Sequence, residues 1–269
     1  MPDMTSVVGH CDVLLLTIDT LRYDVAQQEL HGGRTPCLAR ELPPEGWELR
    51  HSPGSFTYAS HWAFFAGFLP TPAVPGRHER LFSLRFAGSE TTGSGTHVFD
   101  SPDIVSGFAE LGYRTVCIGG VGFFKKENPL SQVLPSLFQE SHWRPEFGVT
   151  DPHSTRHQVE CACRLLDEAP ERPTFLFLNV SALHQPNCFY QEGETKDSVR
   201  THAAALRYVD GELPALFDKF RQRPRDTFVI ACSDHGTCYG EGGFTGHRLA
   251  HEAVWNVPYA TFFLKGRRA

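Results

Sequence analysis

The chain has 269 residues, 41% of them hydrophobic and 21% charged, an ordinary globular composition that fits one large domain over 1–269. A net charge of −6 and a pI near 6.1 exclude a basic surface for nucleic acid. The apolar run 13–18 follows no basic segment and is too short for a signal peptide or a membrane span, so a cytoplasmic protein without a membrane partner is predicted.

In chain order, "DVLLLTI" (12–18) reads as a buried strand that ends at Asp19. A Gly/Ser turn then leads to Thr57 and a short helix over 58–67. Residues 87–97 read as a flexible Gly/Ser/Thr loop, and 102–111 as a helix opened by Pro102. A second strand covers 114–120, followed by a helix over 153–168 whose His153 and His157 lie on a solvated face. The strand "TFLFLNV" (174–180) leads into "SALH" and an irregular stretch, 187–198, that suits a lid or substrate loop. Helix 197–222 gathers Leu206, Val209, Leu213, Leu216 and Phe220 on one face, and Pro214 is expected to kink or divide it. Strands 227–233 and 258–264 complete the pattern. The eight cysteines include no CxxC pair, so no zinc knuckle is expected, and Cys117 and Cys232 read as core residues. Arg22 and Asp24 read as surface residues at a helix start, with a place at the border of the site as the alternative for either.

Strands alternating with helices imply an α/β fold, a three-layer sandwich with a largely parallel central sheet flanked by helices. Ligands in such sheets bind beyond the carboxyl ends of the strands. Asp19, the "SALH" segment and Asp234-His235 all follow strands, so they share that rim. Two carboxylates and an imidazole suit Zn²⁺ or Mn²⁺ better than Ca²⁺ or Mg²⁺. A hydroxyl at a helix N-terminus, as at Thr57, sits among free N–H groups that bind anions, and a nearby metal would make it a nucleophile.

Three stretches then match a known family. "VLLLTIDTLRYD", "TYASHWAFFAG" and "SDHGTCYGEGGFTGH" occur in the order of the alkaline phosphatase superfamily, on its sulfatase-like and phosphoethanolamine-transferase-like side, which the chain resembles over most of its length. The first looks like the family's metal-binding strand. The second is similar to the sulfatase C-x-P-S-R signature with a Gly ten residues after the Cys, with Thr57, Ala59, Ser60, His61 and Gly67 in those places. The third is similar to the S-D-H-G…G-E-x-G…G-H block. The resemblance implies a metal shell of Asp19, Thr57, Asp234 and His235, with Thr57 forming a covalent phospho-enzyme. It gives His184 and His247 catalytic roles, contacting the substrate anion or holding a second metal. His251 and His61 are further candidates for that second site or for substrate contact.

Departures from the pattern narrow the chemistry. Thr57 cannot be oxidised to formylglycine, and His61 stands where sulfatases have Arg. No Asp precedes His184 by four residues, so one firm metal site and a weaker second one are expected. The chain stops soon after its last strand, which predicts the lack of an extra C-terminal subdomain and an open site. Such a site takes a large substrate or is completed by a protein partner or a second copy. The expected function is a metal-dependent hydrolase or transferase acting on an anionic phosphate ester, whether phosphodiester, phosphomonoester or phosphonate. The rivals are a non-catalytic binding module in a biosynthetic complex and a sulfatase.

Overall fold

The computed structural model describes residues 3–67 and 103–267. The predicted loop 87–97 and Pro102 lie outside the described residues. The elements in chain order are β1 (Asp12–Ile18), α1 (Tyr23–His31), α2 (Pro36–Glu41), β2 (Glu48–His51), α3 (Thr57–Ala66) and α4 (Ile104–Glu110). Next come β3 (Arg114–Ile118), α5 (Pro129–Val133), β4 (Glu140–His142), α6 (Ser154–Glu168), β5 (Thr174–Val180) and α7 (Val199–Arg221). The chain closes with β6 (Thr227–Cys232), β7 (Cys238–Tyr239), β8 (Thr245–Gly246), α8 (Glu252–Trp255) and β9 (Asn256–Leu264).

Seven strands form one sheet in the order β2-β9-β6-β1-β5-β3-β4. β1 lies parallel between β5 and β6, β3 and β4 extend the parallel side, and β9 and β2 add an antiparallel edge. The fold is therefore the predicted α/β sandwich. Alternation along β1 feeds both faces: Leu14, Leu16 and Ile18 pack under α1, α6 and α7, while Val13 and Leu15 face an aromatic layer of Phe65, Phe108, Phe175 and Phe177. Every residue of β1 and β5 is buried, which is why both read as unbroken apolar runs. Pro214 does not divide α7, which runs unbroken from Val199 to Arg221. Its apolar face, with Val209, Leu213, Leu216 and Phe217 fully buried, holds the helix across the missing N–H. Asp210 is structural: its carboxylate accepts from the N–H groups of Cys37 and Leu38 and caps α2 from outside.

The opposite end of β1 carries a buried ion pair. Arg223 Nε donates to Asp12 Oδ2 at 2.6 Å, and both residues are almost fully buried. Arg223 also donates to the carbonyls of Leu166 and Arg172, tying α6, β5 and β6 together. Arg223→Ala leaves Asp12 a buried charge without its partner and should cost about 3–5 kcal/mol. Urea unfolding measures this, and a loss below about 1 kcal/mol would show that the pair contributes little.

Candidate metal centre

Asp19 and Asp234 occupy the carboxyl ends of adjacent strands β1 and β6, because the parallel register sets Thr17 beside Cys232. The chain must turn sharply after both. Thr20 adopts a left-handed φ of 61°, which directs its N–H to Asp234 Oδ1 at 3.2 Å. After His235, Gly236 lies so close to α8 that an added Cβ would stand 1.9 Å from the Ala253 carbonyl oxygen. Gly236→Ala should therefore shift the Asp234-His235 tip and cost about 3 kcal/mol. Thermal melting and a zinc titration measure the two effects, and a variant that melts and binds like wild type would show that α8 can retreat freely.

Thr57 is the first residue of α3, and Phe56 at the N-cap provides no capping side chain. The N–H groups of the first turn therefore stay available for an anion. Thr57 Oγ1 donates to Asp19 Oδ2 at 3.3 Å and stands 3.3 Å from His235 Nε2. His235 Nδ1–H donates to the Gly236 carbonyl at 2.8 Å, which leaves a lone pair on Nε2 facing the threonine.

Asp19, Asp234 and His235 are fully buried, with one ligand atom from each lying within 4.8 Å of the others. Asp19 Oδ1 and Asp234 Oδ2 have no hydrogen-bond partner. Burial, joined at Asp19 by the charge of Asp234, pushes each carboxyl up to about 7, and burial pulls His235 down. Orphaned carboxylate oxygens beside a bare imidazole nitrogen fit a divalent cation, which would satisfy all three at once.

The other sequence-predicted residues fall into three places. His247 and His184 form a half-buried lip: the His247 ring centroid lies 4.5 Å from that of His235 and 5.6 Å from that of His184. His247 is pulled down to about 3, chiefly by burial and then by His235, His184 and Arg248. His251 caps α8 instead, accepting the Ala253 N–H at 3.1 Å. His61 lies beneath the site among Phe64, Phe65, Phe124 and Phe177. Its Nδ1–H donates to the Thr57 carbonyl at 2.8 Å and its Nε2 meets Thr17 Oγ1 at 3.0 Å. The ring is wholly buried and held neutral, so it supports the start of α3 from below.

Sequence reasoning missed several supporting groups. Asn179 donates to Asp19 Oδ2 at 3.2 Å while its Oδ1 accepts from the Gly120 and Val121 N–H groups. A polar residue near the end of the otherwise apolar "TFLFLNV" was the available signal. Arg22, read as a surface residue, is buried and pairs with Asp24 and Glu241. Asp24 is only two residues away, but Glu241 is 219 positions away, beyond the reach of any local pattern. The 187–198 stretch is folded against α7: Asp197 accepts from the Asn187 and Cys188 N–H groups, and Asn187 accepts from Thr201.

A largely parallel sheet whose carboxyl edge gathers a buried Asp-Asp-His cluster that could hold a metal, with a helix-start hydroxyl beside it, defines a class of α/β domains. The particular family follows: the family model described as Sulfatase matches residues 12–264, and the chain belongs to that family, within the alkaline phosphatase superfamily. Solved structures support the fold. The soluble domain of lipooligosaccharide phosphoethanolamine transferase A from Neisseria meningitidis is similar at 17% identity and TM-score 0.66, over 95% of this chain and 77% of that one. A zinc complex of the periplasmic domain of EcEptC from Escherichia coli is similar at 12% identity and TM-score 0.62, over 94% and 72%. The lipoteichoic acid synthase LtaP from Listeria monocytogenes is similar at 13% identity and TM-score 0.62, over 94% and 65%. No curated protein sequence matches the chain. No helix among the described residues is long and apolar enough to cross a membrane.

Proposed function

We propose that the chain is a metal-dependent phosphoesterase or phosphotransferase with Thr57 as its nucleophile. The observation that carries this reading is the position of Thr57 Oγ1, at a helix start and 3.3 Å from both Asp19 and His235. Asp19, Asp234, His235 and Thr57 would hold the metal, and the zinc in the EcEptC complex favours zinc over manganese. When bound, a divalent ion lowers the pKa of a hydroxyl and offsets charge on a phosphoryl oxygen.

The chain's own groups do the rest. Thr57 Oγ1 gives up its proton to solvent water and attacks phosphorus in line, so a new O–P bond forms as the bond to the leaving oxygen breaks. The uncapped N-terminus of α3 faces the phosphoryl oxygens with fixed N–H dipoles that need no reorganisation. Of the two lip imidazoles, His247 is held neutral and serves as a hydrogen-bond partner of the substrate. His184, with Nδ1–H bonded to the Gln185 carbonyl at 2.7 Å, presents its other nitrogen, which takes a proton from solvent and delivers it to the departing oxygen. Water or an acceptor alcohol then attacks the phospho-threonine and regenerates Thr57.

Acid quenching of the zinc-loaded protein during turnover of an aryl phosphate should trap phosphate on the peptide that contains Thr57. Phosphate found on another residue, or turnover with no labelled peptide, would sink the nucleophile assignment. All eight cysteines are free thiols, which supports a reducing compartment such as the cytoplasm, although neighbouring folds include periplasmic domains.

A further inference from the structure

One cation at the lip has no part in the chemistry above. Arg248 follows His247 directly, and its exposed side chain forms no ion pair among the described residues. Most arginines here do otherwise: Arg22, Arg114, Arg156, Arg207, Arg221 and Arg223 each hold a carboxylate. Its backbone is also unusual. Arg248 adopts a left-handed φ of 69°, uncommon for a residue with a side chain. The main-chain N–H that this conformation presents donates to the Ser55 carbonyl at 2.8 Å. That bond fastens the 247–248 segment to the turn leading into Thr57. Local strain persists only where surrounding contacts hold it in place, and it concentrates at functional sites.

The side chain follows the same direction. Its Cζ lies 5.4 Å from the ring centroid of Phe56, the residue before Thr57. Phe56 in turn packs near Phe123, with ring centroids 6.2 Å apart. A cation–π contact of this kind uses no N–H donor, so the guanidinium fork stays free to meet a phosphate or carboxylate. Arg248 directly follows His247, whose ring centroid lies 4.5 Å from that of His235, so its charge borders the same opening. An anionic ester approaching Asp19 and Asp234 meets like charge, and His61, at the place of the sulfatase arginine, is sealed beneath the helix.

We propose that Arg248 is a substrate-binding residue whose guanidinium grips an anionic oxygen of the ester at the mouth of the Thr57 site. The phosphoester reading supplies the identity of that anion. The oxygen belongs either to the reacting phosphoryl group or to a second acidic group on the substrate.

Calorimetric titration of the zinc-loaded protein with inorganic phosphate and with pyrophosphate tests this, using wild type, Arg248→Ala and Arg248→Lys. Both variants retain the main-chain bond to Ser55, and unchanged melting curves check that the fold is intact. Arg248→Ala should weaken binding about tenfold or more. Arg248→Lys should fall between, because it keeps the charge and loses the fork. Loss for both anions assigns the grip to the reacting group, and loss for pyrophosphate alone assigns it to a second one. Changes within about twofold for both anions, or no binding to wild type, would overturn the proposal. A parallel aryl phosphate assay separates the two readings: absent turnover with arginine-dependent binding removes the catalytic reading and leaves this one standing.

Discussion

Thr57→Ala should abolish turnover of any true substrate while leaving the fold and zinc binding by Asp19, Asp234 and His235 largely in place. Loss of a nucleophile that forms a covalent intermediate removes the whole pathway, so a fall of about 10⁴-fold or more in kcat is expected. The fold should survive because Thr57 Oγ1 makes two long contacts, both 3.3 Å, and packs no large group. Removing it leaves Asp19 Oδ2 still bonded to Asn179 at 3.2 Å. The helix start keeps its lower support, since His61 bonds the Thr57 main-chain carbonyl rather than the side chain. Thr57→Ser tests the geometry from the other side: a hydroxyl at the same place should retain substantial activity. The measurement is steady-state hydrolysis of aryl phosphates and phosphodiesters by zinc-loaded proteins of matched metal content. An alanine variant as fast as wild type would place the nucleophile elsewhere.

Asp234→Asn should stabilise the chelated protein at pH 8 and destroy its stabilisation by zinc. Asp19 and Asp234 are each pushed up to about 7 by burial, and Asp19 additionally by the charge of Asp234. Unfolded, each titrates near 4, so between about 4 and 7 the folded state binds more protons than the unfolded state. This contribution is favourable below about 4, declines as the pH rises through that window, and is gone above about 7. Buried His61, His202 and His235 and half-buried His247 act in the opposite direction, because their values are pulled down. Their contribution is present above the unfolded value near 6.5 and is lost as the pH falls. The raw stability curve therefore mixes two opposed trends, and the difference between variant and wild type isolates the carboxyl pair.

In chelator, Asp234→Asn should exceed wild type by a few kcal/mol at pH 8, with the gap narrowing as the pH falls and closing by about pH 4. The asparagine oxygen can still accept from the Thr20 and His235 N–H groups, as Asp234 Oδ1 does at 3.2 and 3.0 Å, so the turn is preserved. With zinc the order should reverse, because only wild type offers two carboxylates and gains stability by mass action. Denaturant melts at the two pH values, with chelator and with zinc, read all four terms. A variant less stable than wild type in chelator at pH 8, or equally stabilised by zinc, would mean that the buried carboxylates do not form a cation site.

Local pattern made much of this protein legible. Strands buried on both faces read as continuous apolar runs, and all five predicted strands lie inside the sheet, with only β2 and β4 outside them. Polar residues placed immediately after such runs had to emerge at the carboxyl rim, which is how Asp19 and the Asp234-His235 tip became visible as a pair of neighbouring groups. A threonine opening a helical stretch could likewise be read without coordinates. The reversed direction of β9, the short edge strands β2 and β4 and the six-residue α2 were not legible, because strand direction has no local signature and brief elements carry too few residues for a period to show.

The sequence by itself determined the layer architecture and the chemical types gathered at one rim, because burial and chain direction act through nearest neighbours along the chain. Only the tertiary structure decided which polar groups meet. Thr57 reaches His235 across 178 positions, Asn179 reaches Asp19 across 160, and Arg248 lies over the Phe56 ring. It also decided that His61 faces inward and Arg22 is buried. The orientation of a side chain about a helix or turn depends on what packs against it, and those partners come from strand order, which no short stretch of residues encodes.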